Sequence, residues 1–245
     1  MDLRSASRGV ARGIKRAAHL QERAANRLAR PTLAEARANA RAGVGGLWDE
    51  MGPLQLDFLK SRGLKPTDTF LDVGCGCLRG GLHLISYLDA GNYYGIDASQ
   101  GMLDIGSLEL HEAGLLDKRP TLLKNNLFEF DKFDAKFDMA LAQSVYSHLP
   151  LNTIHRSLVR MSEALNPGGV FYATFFHNPG NPRDLQPIEF PQPDEETVIT
   201  HPDRDPYRYP LSFFEALIED LPLRLEHVGQ WGSKRGQQML GFHRE

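Results

Sequence analysis

Gly74, Gly76, Gly80 and Gly81 fall within eight residues of the stretch FLDVGCGCLRGGLHL, Phe70 to Leu84, interleaved with Cys75, Cys77 and Arg79. Those residue types could serve a metal, a redox pair or a phosphate. A zinc site needs more soft ligands than two cysteines, and the chain has no others. A redox pair is normally spaced Cys-x-x-Cys, not Cys-x-Cys. No Gly-Lys-Ser/Thr follows to make a P-loop, and Arg79 occupies the third glycine position of a dinucleotide fingerprint. What remains is a loop of bare backbone. Its glycines let the chain approach a ligand and point N–H groups outward at a helix start. The cysteines read most simply as small residues under a tight turn.

Other candidates lie downstream. Asp97 ends the segment NYYGIDAS, where an acid can accept hydrogen bonds from ligand hydroxyls. Its structural alternative is to cap the following helix together with Ser99. The segment SVYSHLP carries Tyr146 and His148. His148 is the first candidate for a base or substrate ligand, since an imidazole exchanges protons near neutral pH. Its structural alternative is simply to lead into the helix that begins near Pro150. His177, leaving VFYATFF, is second, followed by Tyr172 and Asn178; His201, His227 and His243 read as surface or strand residues.

The elements that would position these residues follow one rhythm. GLWDEMGPLQLDFLKSRGL has apolar residues at helical spacing, and TFLDVG is a short apolar strand. LRGGLHLISYL reads as a helix, NYYGIDAS as a strand, and QGMLDIGSLELHEAGL as a helix closed near Gly114. TLLKN and FDMALAQS are strands, LNTIHRSLVRMSEALNPGG a helix, and VFYATFF a strand. Strands alternating with helices imply a parallel sheet covered on both faces, a doubly wound α/β domain. From His177 to Pro210 the period is lost and eight of the fifteen prolines occur, as in a lid or a disordered segment. A substrate lid over the carboxyl edge of the sheet is expected. Phe190, Tyr207 and Tyr209 could there contact a substrate or pack the segment down. LSFFEALIEDL is a helix, and LRLEHVGQWGSKRGQQMLGFHR reads as an antiparallel hairpin around GSKRG. Lys234 and Arg235 on that hairpin are taken as a solvated turn rather than an anion site.

Composition divides the chain. Residues 1–41 hold ten of the 28 basic side chains and three of the 31 acidic ones, so a basic leader precedes a globule of balance −10. Arg4, Arg8, Arg12 and Arg16 share one helical face. An organelle transit peptide, a helix on anionic membrane and a nucleic-acid arm all fit such a leader, and so does a solvated, partly helical tail, which is preferred. Scarce hydroxyls and Asp2 count against transit. The boundaries expected are 1–42 for the leader and 43–245 for the domain. With no apolar run long enough to span a bilayer and no disulfide framework, the expected location is cytoplasmic.

LDVGCGCLRGG resembles motif I of the class I S-adenosylmethionine-dependent methyltransferases. YYGIDAS resembles their acidic second-strand motif, NNLFEFDKFDAKFDMALAQSVYSHLP their third- and fourth-strand region, and LNPGGVFYATFF their fifth. The likeness covers most of residues 47–176, in order. It implies a mostly parallel seven-stranded sheet with a C-terminal antiparallel hairpin, and S-adenosylmethionine as the cofactor. It implies that Asp72 and the Gly74–Cys75–Gly76 turn hold the methionine part and that Asp97 holds the ribose. Asn126 and the backbone of Leu127 would border the adenine, with Ala98 or Ser99 against it, and Gln143 would face the sulfonium. Leu78 departs from the family's usual glycine. Arg79 at a helix start opposes the helix dipole, which an anion such as the cofactor carboxylate would resolve. The expected acceptor is a small molecule, O-methylated, with no metal and no stable nucleic-acid or membrane partner. The alternatives are an RNA or protein methyltransferase using the leader, and a non-catalytic S-adenosylmethionine-binding protein.

Overall fold

In the computed structural model, residues 31–181, 184–192 and 197–245 are described. The chain divides between Asn39 and Ala40 into two units, the second of which, Ala40–Glu245, carries the sheet. Most of the basic leader lies outside the described residues. A helix, α1 (Leu33–Gly43), is capped by Thr32, whose hydroxyl accepts from the Glu35 N–H while Glu35 reaches back to the Thr32 N–H at 2.8 Å.

The rhythm of the sequence becomes α2 (Trp48–Ser61), β1 (Phe70–Val73), α3 (Gly81–Tyr87), β2 (Tyr93–Asp97), α4 (Gln100–Glu112), β3 (Thr121–Lys124), β4 (Phe137–Ala142), α5 (Leu151–Ala164) and β5 (Leu165–His177). Then come β6 (Ile188–Pro191), β7 (Thr197–Thr200), β8 (Arg208–Tyr209), α6 (Leu211–Leu217), β9 (Leu223–Gly229) and β10 (Gln238–Arg244). Among the described residues the main sheet runs β3-β2-β1-β4-β5-β10-β9, with β8 added to the end of β5. The first five strands pair in parallel, and β10 is antiparallel to both β5 and β9. The order reverses between β1 and β4, so a crevice opens at their carboxyl ends.

β1 is buried along its whole length, as a central parallel strand must be. Two apolar layers cover the sheet. Phe137, Tyr146, Phe171, Phe175, Phe214 and Phe242 pack one face, and Met51, Leu59, Leu84, Tyr93, Tyr172 and Trp231 the other.

Two expectations shift. The helix expected from Leu78 begins at Gly81, because Leu78 has a left-handed backbone (φ 66°) and cannot continue a right-handed helix. The 177–210 stretch holds a hairpin, β6–β7, registered from Ile188↔Thr200 to Pro191↔Thr197, and a strand, β8. Arg208, 1% exposed, ties that stretch together by donating to the Thr200, Asp184 and Gln186 carbonyls.

Candidate active site

The loop after β1 is shaped by positive φ at Gly74 (72°) and Gly76 (55°). The N–H groups of Gly74 and Cys75 both donate to Ile96 O, which draws the loop toward the end of β2. A Cβ on Gly74 would lie 2.6 Å from Val145 Cγ2, and one on Gly76 2.6 Å from Val44 Cγ1. Glycine is needed at both for backbone angle and for space. Burial pushes the Cys75 thiol well up and the Cys77 thiol up to about 11, so neither is a ready thiolate.

Two acids face this loop. Asp97 accepts the Gly76 N–H at 2.9 Å through Oδ2 and the Ser99 N–H at 2.8 Å through Oδ1, while Ser99 caps α4 by accepting from Met102 N. The capping alternative for Asp97 thus falls to Ser99, and Asp97 braces the loop. Asp72, 7% exposed, accepts the Tyr93 hydroxyl at 2.7 Å. Burial raises its carboxyl to about 6 despite that bond, with the Asp97 charge adding and Arg79 opposing.

A strap closes this side. Gly45, Gly46 and Leu47 have successive positive φ of 88°, 63° and 47°. Arg235 donates to Gly45 O, and Arg79 Nη1 to Gly46 O at 2.7 Å. Arg41 anchors the strap's other end with two bonds, of 2.9 and 2.8 Å, to the buried Glu109 carboxylate, and stacks over Trp48. Arg79 is 6% exposed, and its Nε is buried with no hydrogen-bond partner among the described residues. Burial, with Arg235 nearby, lowers its guanidinium to about 10.

These groups line a cavity of about 440 Å³ that continues past the end of β4. Its far wall includes Gln143, His148, Phe176, Val198 and Gln237. His148 is half exposed, and its backbone is pinned on both sides: Tyr207 N–H donates to Ser147 O and Tyr209 O–H to Leu149 O, each at 2.7 Å. Its Nδ1 lies 2.6 Å from Asp205 Oδ1. A carboxylate only accepts, so Nδ1 carries a hydrogen toward it, and Nε2 has no hydrogen-bond partner among the described residues. Phe190 packs on Phe176 at 4.8 Å, and Gln192 Nε2 donates to Arg235 O at 3.0 Å, so the β6–β7 hairpin sits against the cavity wall and the β9–β10 turn.

The cavity therefore gathers Asp72, Gly74, Cys75, Gly76, Arg79, Asp97, Gln143 and His148. Tyr146 requires correction. It is fully buried, hydrogen-bonded to Ser157 at 2.8 Å and stacked on Phe214, and burial pushes its phenol far up; it is a core residue. His177 does not line the cavity either. It stands beside His227, ring centroids 5.4 Å apart, and burial lowers its imidazole. Ala98, Asn126 and Leu127 are exposed and outside the cavity lining, and the Leu127 N–H is taken by Asn125 Oδ1. Tyr172 is held by Arg62 and Asn178 by the Tyr209 carbonyl, both apart from the cavity.

Sequence reasoning missed the strap, Gln55, Phe176 and Gln237, and it misjudged Arg235, which reaches the cavity while Lys234 stays in solvent beside Glu50. The triple Gly-Gly-Leu turn before Trp48 and the polar Gln237 opposite an apolar strand were the available signals.

Residues 71–171 match a family described as a methyltransferase domain. The chain is 30% identical over 134 residues to the ubiquinone biosynthesis O-methyltransferase of Hahella chejuensis, covering 53% of this chain and 52% of that protein. It is 26% identical over 125 residues to the uncharacterized protein RP028 of Rickettsia prowazekii, covering 48% of each. The chain thus spans about half the length of the curated relatives it matches. In fold it resembles DesVI of Streptomyces venezuelae (TM-score 0.60, 19% identity, 89% of this chain and 100% of that one). It also resembles the magnesium protoporphyrin IX methyltransferase of Synechocystis with bound SAM (TM-score 0.56, 14% identity, 89% and 87%). The sheet has the class I methyltransferase fold.

Proposed function

We propose that this chain, whose residues 71–171 form a methyltransferase domain, transfers a methyl group from S-adenosylmethionine to a small-molecule acceptor, with oxygen the favoured acceptor atom. One observation carries the reading: the glycine turn, Asp97, Asp72 and a buried arginine line the same cavity as a histidine whose Nδ1 is held by Asp205 and whose Nε2 has no hydrogen-bond partner among the described residues. The residues fit that cofactor. The Gly74 and Gly76 cradle has no room for a side chain, and the bare Nε of Arg79 lacks the acceptor that a carboxylate supplies. Asp97 would hold the ribose hydroxyls, Asp72 the ammonium and Arg79 the carboxylate, while the adenine edge expected at Ala98, Asn126 and Leu127 lies outside the cavity lining.

S-adenosylmethionine, when bound, supplies an electrophilic methyl whose sulfur keeps the electron pair of the broken bond. The chain's own work is alignment, exclusion of water and proton removal. His148 Nε2 takes the proton of the acceptor hydroxyl while Asp205 holds the ring in the required tautomer. Phe176 and Val198 offer an apolar face to the rest of the acceptor. The relation to an O-methyltransferase supports oxygen as the acceptor atom.

Calorimetric titration tests the cofactor half. Wild type is expected to bind S-adenosylhomocysteine, Asp97→Ala to lose it, and Arg79→Ala to bind it about tenfold more weakly, as expected for one charge-assisted bond. 5′-Methylthioadenosine, which lacks the carboxylate, should not distinguish Arg79→Ala from wild type. Absence of any binding by the wild type would end the methyltransferase reading. In a screen of phenolic acceptors with labelled methyl donor, His148→Ala is expected to lower turnover without changing S-adenosylhomocysteine affinity.

A further inference from the structure

Gln143 stands where the two walls of the cavity meet. Leu141 is level with Asp72 across β4 and β1, and Gln143 directly follows β4 as Gly74 directly follows β1. On the other flank Thr174 of β5 is level with Met239 of β10, two residues after Gln237. Four polar groups here settle which end of the Gln143 amide faces the wall. Ser144 N–H donates to Thr174 Oγ1 at 2.7 Å, which leaves the threonine proton for Gln237 Oε1 at 2.8 Å. Ser144 Oγ reaches the same oxygen at 2.9 Å. Gln237 Oε1 is therefore an acceptor, and the Gln143 atom 3.4 Å from it must be the nitrogen, which also donates to Ser144 Oγ at 3.1 Å. The other end, Gln143 Oε1, is buried with no hydrogen-bond partner among the described residues. Ser144 and Gln237, themselves tied to Thr174, thus hold a bare acceptor on a residue that lines the cavity, at a cost that a donor from a ligand would relieve.

We infer that Gln143 Oε1 receives the O–H or N–H of the methyl acceptor and so orients its nucleophilic atom; this rests on the methyltransferase reading. A neutral amide oxygen directs a donor without taking its proton, which complements a base at His148. The contact also selects for acceptors: a nucleophile bearing hydrogen is favoured over one without, since the latter leaves Oε1 bare.

The test needs no knowledge of the natural acceptor. Sinefungin carries a primary amine in place of the methyl-bearing sulfonium, and so presents an N–H donor where the transferable methyl would sit. Its dissociation constant is compared with that of S-adenosylhomocysteine for wild type, Gln143→Met and Gln143→Glu. Gln143→Met is expected to bind S-adenosylhomocysteine as wild type does and sinefungin about tenfold more weakly, the loss of one buried hydrogen bond. Gln143→Glu, which keeps an acceptor oxygen, is expected to hold sinefungin at least as well as wild type. Retained S-adenosylhomocysteine binding shows that the variants are folded. An unchanged ratio in Gln143→Met overturns the inference, and so does an equal loss of both ligands, which would place Gln143 on the amino-acid end of the cofactor. If wild type bound neither ligand, the inference would fall together with the reading beneath it.

Discussion

Asp72 and Asp97 are two carboxylates on neighbouring strands with different settings. Asp97 has both oxygens engaged by backbone N–H groups, whereas Asp72 is enclosed and has one hydroxyl for company. Burial therefore lifts the Asp72 carboxyl from 3.8 to about 6. The sign is opposite to that of an ion-paired acid. The folded chain keeps the proton up to about pH 6, while the unfolded chain releases it near 3.8, so the neutral acid's contribution to stability is full below about pH 4 and is lost as pH rises to 6. Binding an ammonium requires the ionised form. Affinity for S-adenosylhomocysteine is therefore expected to climb between about pH 5 and 6.5 and then level off, and Asp72→Asn should be weaker and flat across that range. A wild-type profile without the step would remove Asp72 from the ammonium. Asp97 was legible because it ends an apolar strand ahead of a capping serine, and Asp72, one residue short of its strand's end, only through the likeness of the glycine loop to motif I. The raised proton affinity of Asp72 was not, since it depends on how completely the neighbouring layers enclose it.

Among the elements, those with a strong period were legible and those built by partnership were not. The β1–α3–β2 unit declared itself by apolar runs and glycines. The β6–β7 hairpin did not, because each strand is four residues long and prolines interrupt the segment. Arg235 and Gln237 enter the cavity through the β10–β5 register, which joins residues more than 60 positions apart. The strap is similar, since its closure depends on side chains from the glycine loop and the last hairpin. Arg235 also connects it to Gln192 on the far side. Arg235→Ala is expected to release S-adenosylhomocysteine about tenfold faster, by stopped-flow tryptophan fluorescence, because one strap bond is lost while the cofactor wall keeps its own contacts. An unchanged off-rate would mean that the strap does not gate that side.

At the scale of the molecule, the cavity belongs to the second unit, and its lining begins at Gly43. A chain starting at Ala40 is expected to bind S-adenosylhomocysteine as the full chain does, while one starting at Trp48 should bind it much more weakly, having lost Val44 above Gly76 and the Gly45 and Gly46 carbonyls. Equal affinity of the two truncations, measured by calorimetry, would show the strap to be dispensable. The basic leader was legible only as composition. No helix among the described residues is long and apolar enough to cross a membrane.

The Gly45–Arg235 bond joins residues 190 positions apart. The strap, β1, the glycine loop and Asp97 leave the ribosome in that order. The arginine that clasps the strap emerges 190 positions after it, just ahead of the strand that places it. A nascent chain can therefore assemble the cofactor wall long before it can shut it, and a chain stopped short of β10 would carry the glycine loop and both acids around a cavity that stays open.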